Sequence, residues 1–382
     1  MRNLMCFISA FIGLISCSDV TISVQNPSTF NRAEIVELPI DVNLIQPAEG
    51  KTYVVKNQSG EIIPSQVTYD RKLIFRTDLK AGETLNYTIT IGAPRSFVPK
   101  TYGRFIKERK DDFAWENDRV AFRIYGQALV PIDGPSNGLD CWYKCTDSLI
   151  IDKWYKDDLA GIRSYYKDHG EGCDDYKVGR SLGAGMMAPF IHDSLILNEN
   201  FVSQEVLENG PLRTTFKLTY KDIQIDSVRK VGESRTFSID AGSQLTKVTQ
   251  EYTTNDTITV AAGIVKRNVD DDAYSAFTDF GTAGLIYAEP ESENTGKVFI
   301  GMVFPKGLEN TITNTYTWID KNGKEEKYAH VLGITTYYPG QPITYFTGYG
   351  WSKFGFNALT NFQMYIQNFS LAVEEPLIIN IL

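Results

Sequence analysis

Residues 168–176, which read Asp-His-Gly-Glu-Gly-Cys-Asp-Asp-Tyr, carry the richest set of reactive side chains in this chain. They include His169, one of only 3 histidines, together with four carboxylates and Tyr176. Gly170 and Gly172 leave the backbone free to turn. Histidine transfers protons near neutral pH, and tyrosine can do so when its pKa is lowered. We therefore predict proton-transfer chemistry of a sugar-handling site here, with a polar surface loop as the alternative.

The same segment offers a metal-binding alternative. His169, Glu171 and Asp174 could supply nitrogen and oxygen ligands to a divalent ion. The cysteines give little support to zinc, because no Cys-x-x-Cys pair occurs. We expect no cofactor and no resident metal.

A second polar cluster, Trp-Glu-Asn-Asp-Arg at residues 115–119, stands directly before an alternating strand. We assign Glu116, Asn117 and Arg119 to substrate binding, together with Glu171 of the first segment. Arg123 follows four residues after Arg119, and residues at this spacing in an extended strand point to the same face. Two guanidinium groups on one face can hold a carboxylate or sulfate. An ion pair with a nearby carboxylate is the alternative.

Several aromatic and basic residues are further candidates for sugar binding. Trp142 and Lys144 alternate on one strand face, where an indole could stack a sugar ring beside a cation, although core packing is the alternative for Trp142. Trp351 follows a glycine-containing turn, so we expect an exposed ligand platform. His330 lies in a strand-like context and is either functional or a satisfied core histidine, whereas we interpret His192 as structural.

Apolar and polar residues alternate along nearly every segment, as at residues 120–125, 214–220 and 298–303. Such period-two patterns, rich in β-branched and aromatic residues, are typical of strands. Helical patterns are scarce and short, with candidates at residues 147–155 and within 352–368. The sequence therefore predicts an all-β fold of antiparallel sheets. We expect an N-terminal β-region at residues 17–98, packed on a main body at residues 99–382.

The N-terminus is predicted to carry a targeting signal. A short basic start is followed by an apolar run that ends in Leu-Ile-Ser-Cys at residues 14–17, which resembles a bacterial lipobox. Residues 1–16 are thus predicted to be a lipoprotein signal peptide, with Cys17 acylated. We therefore expect the protein in the periplasm or at the cell surface, lipid-anchored to the outer membrane. An ordinary secretory signal is the alternative.

The formal net charge of -9 disfavours nucleic acid as a partner, because few cations remain to neutralise phosphates. It leaves room for an anionic oligosaccharide, since local arginines can still bind one acidic group. Contact with a membrane is expected through the lipid anchor only. Of the mature cysteines, Cys145 and Cys173 could form one disulfide in an oxidising compartment.

Residues 115–126, 168–174 and 209–213 together resemble a family of secreted Bacteroidetes proteins. Its members are encoded with polysaccharide-degrading enzymes and were long known as a domain of unknown function. The resemblance covers nearly the whole mature chain, and the combination of blocks is specific although each block alone is weak. The family is similar to the oligosaccharide dehydratase of ulvan breakdown and to the galactose-mutarotase-type β-supersandwich. The resemblance implies a lyase that removes water from a non-reducing-end uronic acid to leave a 4,5-unsaturated residue.

Such an elimination needs a neutralised carboxylate, a base for the C5 proton and an acid for the leaving 4-hydroxyl. The candidates for proton transfer are His169, His330 and Tyr176. The candidates for charge neutralisation are Arg119, Arg123 and Arg213.

Two other functions stay open. A glycoside hydrolase would use two carboxylates, for which Glu116 and Glu171 are candidates. A non-catalytic, surface-anchored glycan-binding protein would use the same aromatic and basic residues without a titrating group.

Overall fold

The computed structural model describes residues 19–40, 44–279 and 281–382. Strands dominate, and every ladder between two of the strands named below is antiparallel. The predicted antiparallel all-β fold is confirmed. The predicted signal peptide and Cys17 lie outside the described residues.

The N-terminal region contains two small sheets. Their strands are β1 (Val20–Gln25), β2 (Arg32–Pro39), β3 (Thr52–Lys56), β4 (Ile62–Ile63), β5 (Ser65–Val67), β6 (Lys72–Leu79) and β7 (Thr84–Gly92). The first sheet has the order β27-β1-β7-β3-β4, where β27 (Ile378–Ile381) is the last strand of the chain. The second sheet has the order β2-β6-β5. These sheets enclose a hydrophobic core of their own, against which Leu377 and Ile379 also pack. The C-terminal strand therefore belongs to the N-terminal region, which a boundary at residue 98 does not anticipate.

The main body holds three larger sheets. The first, of order β12-β11-β10-β9-β8, consists of β8 (Thr101–Ile106), β9 (Asp112–Asn117), β10 (Ala121–Ile124), β11 (Asp140–Lys144) and β12 (Gly172–Asp174). The second, of order β14-β13-β20-β25-β24, consists of β13 (Ala184–Ile191), β14 (Ser194–Leu195), β20 (Ile258–Lys266), β24 (Asn310–Ile319) and β25 (Glu325–Tyr337).

The third sheet has nine strands, of which eight follow the order β15-β16-β18-β19-β26-β23-β22-β21 and one, β17, pairs with β18. They are β15 (Ser203–Asn209), β16 (Arg213–Thr219), β17 (Ile223–Gln224), β18 (Lys230–Asp240), β19 (Leu245–Thr253), β21 (Tyr274–Asp279), β22 (Thr282–Ala288), β23 (Val298–Phe304) and β26 (Ile343–Trp351).

One large core joins the three sheets of the main body. Alternate residues of a strand point to one face, and β16, for example, sends Phe216 and Leu218 into this core. The ring centroid of Phe216 lies 3.9 Å from that of Phe113 and 5.0 Å from that of Phe237. This aromatic stack fixes β9 of the first sheet against β16 and β18 of the third.

Helices are few. A 3-10 turn at Gln127–Leu129 leads into α1 (Val130–Asp133), and two longer helices are α2 (Ile151–Leu159) and α3 (Leu359–Glu374). Both helical candidates from the sequence are confirmed, although the two helices extend beyond the predicted ranges, to Leu159 and Glu374. Within the described ranges, no helix is both long and apolar enough to span a bilayer. Cys141, Cys145 and Cys173 are free, so the disulfide considered between Cys145 and Cys173 is not formed.

Candidate active site

A cavity of about 550 Å³ opens between the edge of the first main-body sheet and the β24–β25 hairpin. Acidic, basic and aromatic side chains line it. Those with functional groups are Arg109, Arg123, Tyr125, Asp133, Tyr166, Asp174, Tyr176, Arg180, Trp318, Asp320, Lys321, Glu326 and Tyr328. At the hairpin tip, the ammonium of Lys321 reaches the carbonyl of Pro131 in α1 at 3.5 Å.

Strand register builds one wall of this cavity. Arg123 on β10 pairs with Asp140 on β11, and Trp142, two residues further on β11, pairs with Asp174 on β12. Directly paired residues, and residues two apart, share a sheet face, so the side chains converge. The Nη2 atom of Arg123 donates to Oδ2 of Asp140 at 2.6 Å and to Oδ2 of Asp174 at 2.7 Å.

A third carboxylate, Asp112 at the start of β9, joins the same cluster. Its Oδ2 atom lies 3.1 Å from Nη1 of Arg109 and accepts a hydrogen bond from the hydroxyl of Tyr155 at 3.3 Å. Burial raises the pKa of Asp112 to about 6 and that of Asp174 to about 7, although the arginines act in the opposite direction. Asp174 is therefore a cavity-wall carboxyl group that can accept or donate a proton near neutral pH.

The opposite wall comes from the β24–β25 hairpin, in which Trp318 pairs with Glu326. The hydroxyl of Tyr328 donates to Oε2 of Glu326 at 2.8 Å and accepts the backbone N–H of Arg180 at 3.0 Å. Gly179 permits this approach, because a Cβ atom there would lie 2.4 Å from the Tyr328 hydroxyl. The hydrogen bond from Lys324 lowers the pKa of Glu326, whereas burial raises that of Tyr328 to about 12. At neutral pH this wall presents an ionised carboxylate beside a protonated phenol.

A model of the family described as a domain of unknown function (DUF4861) matches residues 24–379. The chain belongs to the DUF4861 family. A relative from Formosa agariphila, named "Uncharacterized protein P7", is 29% identical over 294 residues, which cover 73% of this chain and 69% of the relative.

Two solved structures from Enterococcus faecalis are similar at the level of coordinates. They are an alpha-mannosidase, with 10% identity and a TM-score of 0.47, and a protein of glycosyl hydrolase family 38, with 11% identity and a TM-score of 0.46. Both alignments cover 95% of this chain but only 46% and 47% of the solved chains. The DUF4861 chain thus spans about half the length of these structures.

Of the catalytic candidates from the sequence, Tyr176 lines the cavity of this DUF4861 protein. Its ring lies 4.4 Å from the Cζ atom of Arg267, and burial raises its pKa well above the ordinary value. The hydroxyl is buried and has no hydrogen-bond partner among the described residues. Tyr176 therefore lines the cavity with a side chain whose buried hydroxyl stays protonated at neutral pH.

His330 lies on β25 but inside the core. It has no exposed surface, its ring stacks on that of Tyr316 with centroids 5.6 Å apart, and its Nε2 atom accepts the N–H of Leu182 at 3.2 Å. Burial lowers its pKa to about 3. The imidazole is therefore neutral at physiological pH and packs as a core histidine.

His169 is exposed outside the cavity, with Nε2 3.1 Å from the carbonyl oxygen of Ser164. Glu171 forms an ion pair with Lys153 at 2.5 Å. Asp174 instead faces Arg123, so the three candidate metal ligands make separate contacts. Among the residues that the structure describes, no three histidine, cysteine, aspartate or glutamate side chains converge as a metal site would need.

A buried group of ion-pair and hydrogen-bond contacts at the start of α2 involves Glu116, Asn117 and Lys144. Oε2 of Glu116 lies 2.7 Å from Nζ of Lys144, which also donates to the carbonyl of Asn117 at 2.5 Å. Oε1 of Glu116 accepts the N–H groups of Ile150 and Ile151 at 2.7 and 2.8 Å. Carboxylates are favourable at a helix N-terminus, so these contacts position α2.

The expectation that Arg119 and Arg123 share a strand face is wrong. Arg119 precedes β10 in a turn closed by Asn117, whose Oδ1 atom accepts the N–H groups of Arg119 and Val120. Its guanidinium is exposed and lies 5.3 Å from the ring centroid of Phe354, whereas Arg123 is only 2% exposed.

The expected exposure of Trp351 is also wrong. Trp351 is 1% exposed, and its Nε1 atom donates to the carbonyl of Thr295 at 2.5 Å. Trp142 is fully buried among the rings of Trp154, Tyr155 and Tyr165. Both indoles therefore pack in the interior.

Arg213 lies at the junction between the two parts of the chain. Its guanidinium pairs with Asp240 of the main body at 2.5 Å and with Glu37 of the N-terminal region at 2.6 Å. This ion pair bridges the two regions outside the cavity.

Sequence reasoning did not find Arg109, Arg180, Trp318 and Tyr328, and it considered Asp174 only as a metal ligand. No motif connects these residues, because strand pairing brings them together from distant parts of the chain. The local signal that existed was the concentration of carboxylates at residues 168–176, which includes Asp174.

Proposed function

We propose that this protein is a carbohydrate-active enzyme of the lyase type, which removes water from the uronic acid at the non-reducing end of an ulvan-type oligosaccharide. One observation carries the proposal: Asp174, whose pKa burial raises to about 7, lines a cavity of about 550 Å³ together with cationic and aromatic side chains. The family resemblance noted above supports the substrate class.

The proposed reaction uses one side chain from each of the two opposite walls of the cavity. Ionised Asp174 takes the C5 proton, and the electrons of the C5–H bond form the C4–C5 double bond as the C4–O bond breaks. The leaving 4-hydroxyl takes the phenolic proton of Tyr328 and departs as water. The tyrosinate and the protonated Asp174 then exchange a proton through solvent, which restores both groups. A cation on the cavity wall neutralises the substrate carboxylate and so makes the C5 proton more acidic.

A glycoside hydrolase is the second candidate, favoured by a specific pair of carboxyl groups. Asp174, with a raised pKa, and Glu326, with a lowered pKa, line the same cavity. Carboxyl groups whose pKa values are driven apart suit the acid and the base or nucleophile of glycoside hydrolysis. The pair considered from the sequence, Glu116 and Glu171, is engaged with Lys144 and Lys153 instead.

The mass of the product separates these functions. The purified protein is incubated with a panel of uronate-ended oligosaccharides, and absorbance of an unsaturated uronate is followed in the ultraviolet. Loss of one water supports the dehydratase, whereas cleavage with gain of water supports the hydrolase. Binding of the oligosaccharide without any change in its mass would support a non-catalytic, glycan-binding lipoprotein. Asp174→Asn should abolish turnover, and Asp175→Asn, at the exposed neighbour, is the matched control.

We also propose that the acylated Cys17 anchors the protein to the outer membrane, where it meets oligosaccharides in the periplasm or at the cell surface. The support is the lipobox-like sequence at residues 14–17. Metabolic labelling with a fatty acid should mark the wild type but not Cys17→Ala. Equal labelling of both proteins would contradict the anchor.

A further inference from the structure

Arg180 stands on the cavity wall in the loop before β13. Its Nη1 and Nη2 atoms donate to the carbonyl oxygens of Asn198 and Leu197, each at 2.5 Å. Its own carbonyl accepts the hydroxyl of Tyr316, also at 2.5 Å. Trp318 covers the guanidinium, with Cζ of Arg180 5.3 Å from the indole centroid. The head group is therefore held in a fixed orientation by main-chain and aromatic contacts.

Arg180 differs from the other arginines of the cavity in its charge balance. Arg109 and Arg123 form ion pairs with Asp112, Asp140 and Asp174. Across the described part of the chain, no carboxylate lies within ion-pair distance of Arg180. Glu199 acts on it electrostatically, but the carboxylate of Glu199 pairs with Lys221 at 3.2 Å.

A partly buried guanidinium that has no carboxylate partner among the described residues is suited to bind an anion from outside the protein. Carbonyl oxygens satisfy some of its N–H groups but bring no compensating negative charge. Burial lowers the pKa of Arg180, which reflects the cost of holding the cation away from water without a counter-ion. A carboxylate that enters the cavity can supply that charge through charge-assisted hydrogen bonds.

We propose that Arg180 and Trp318 form the subsite that selects an acidic sugar, with the guanidinium binding the uronate carboxylate and the indole packing against the sugar ring. The inference rests on the proposed function only in that a sugar enters this cavity, and it names the group that distinguishes acidic from neutral substrates. It assigns carboxylate binding to Arg180 rather than to Arg119, Arg123 or Arg213. Arg123 and Arg213 already hold carboxylates of the protein, and Arg119 lies outside the cavity.

The test compares matched probes by calorimetric titration. The probes are disaccharides ended by glucuronate, iduronate or galacturonate, each beside a counterpart whose carboxylate is reduced to the alcohol. All titrations use the Asp174→Asn background, so that turnover does not consume the probe. The parent should bind at least one uronate probe about tenfold or more tightly than its reduced counterpart, as expected for charge-assisted hydrogen bonds. Adding Arg180→Gln should abolish that preference by weakening the uronate probe alone.

Three comparisons keep the result interpretable. Arg180→Lys keeps the charge but loses the fork geometry, so its preference should fall between those of the parent and Arg180→Gln. Arg229→Gln removes an arginine that pairs with Asp226 away from the cavity and should leave the preference unchanged. Thermal melting identifies any variant that fails to fold. In that case the comparison of acidic and reduced probes on the parent, repeated at rising salt, still decides whether the cavity selects an anion.

The inference is overturned if the parent binds acidic and reduced probes equally, if it binds neither, or if Arg180→Gln folds and keeps the preference. An equal loss of affinity for both probes in Arg180→Gln would also overturn it. If the preference depends on Arg180 as expected while the wild type forms no product of altered mass, the subsite is supported and the proposed reaction is not.

Discussion

The Nη2 atom of Arg123 lies 2.7 Å from Oδ2 of Asp174, yet Asp174 keeps a raised pKa of about 7. The same nitrogen also donates to Asp140 at 2.6 Å, so two carboxylates share one donor. Burial is the largest cause of the raised pKa, and the negative charge of Asp140 adds to it. Asp174 is therefore a group that remains titratable near neutral pH despite an adjacent permanent cation.

The pH dependence of turnover should identify the role of Asp174. If it acts as the base of an elimination, it must be ionised, and kcat/KM rises as pH increases through about 7. If it acts as the acid of a hydrolase, it must be protonated, and kcat/KM falls above the same pH. The measurement is a pH-rate profile of the wild type from pH 5 to about pH 9. A flat profile through this region would contradict both roles.

The pH dependence of the free energy of unfolding should also reflect the raised pKa of Asp174. The folded-state pKa of Asp174 is about 7, against an ordinary value of 3.8. Between these values the folded state holds a proton that the unfolded state lacks, so the free energy of unfolding falls as pH rises. Asp174→Asn should make this dependence less steep in urea unfolding at pH values within that window, although Asp112, whose pKa is raised to about 6, still contributes. Asp175→Asn should retain the full slope. An unchanged slope in Asp174→Asn would assign the shift to another member of the cluster.

Substitution of His169 and of His330 should distinguish a residue that turnover does not need from a residue that stabilises the core. His169→Ala removes an exposed side chain outside the cavity, so turnover should stay within about threefold of wild type, whereas loss of a proton-transfer group costs about 100-fold or more. His330→Ala creates a void in the core and should lower the free energy of unfolding by about 2 kcal/mol or more. Steady-state kinetics and urea unfolding measure the two effects. A 100-fold loss of turnover in a folded His169→Ala variant would show that exposed side chains of residues 168–176 take part in catalysis.

The last strand should stabilise the N-terminal sheet. Ile379 and Ile381 both pair with β1, at Val24 and Ile22, but only Ile379 also packs against the N-terminal core. Ile379→Ser should therefore cost about 1 kcal/mol and lower the melting temperature by about 2–4 °C. Ile381→Ser, at a 51% exposed position, is the matched control and should have little effect. Equal effects of both substitutions would show that packing against this core is not the source of the stability.

The sequence by itself determined the strand character of the chain. Alternation is a local property, because successive side chains of a strand point to opposite faces whatever the partner strand is. It also predicted residues 168–176 as a candidate functional segment, of which the structure brings Asp174 and Tyr176, but not His169 or Glu171, to the cavity. The short β12 ends at Asp174, and its register against β11 points this carboxyl group toward Arg123.

Only the tertiary structure decided which of the polar residues face the cavity. Glu116 and Lys144 satisfy each other and the start of α2 in the interior, and no spacing in the sequence reveals that pairing. Arg180 reaches Trp318 only because the loop before β13 packs against the β24–β25 hairpin, at a separation of 138 residues (318 − 180). Local patterning determines strands, whereas the balance of burial, ion pairing and charge that makes a side chain reactive arises from contacts between distant strands.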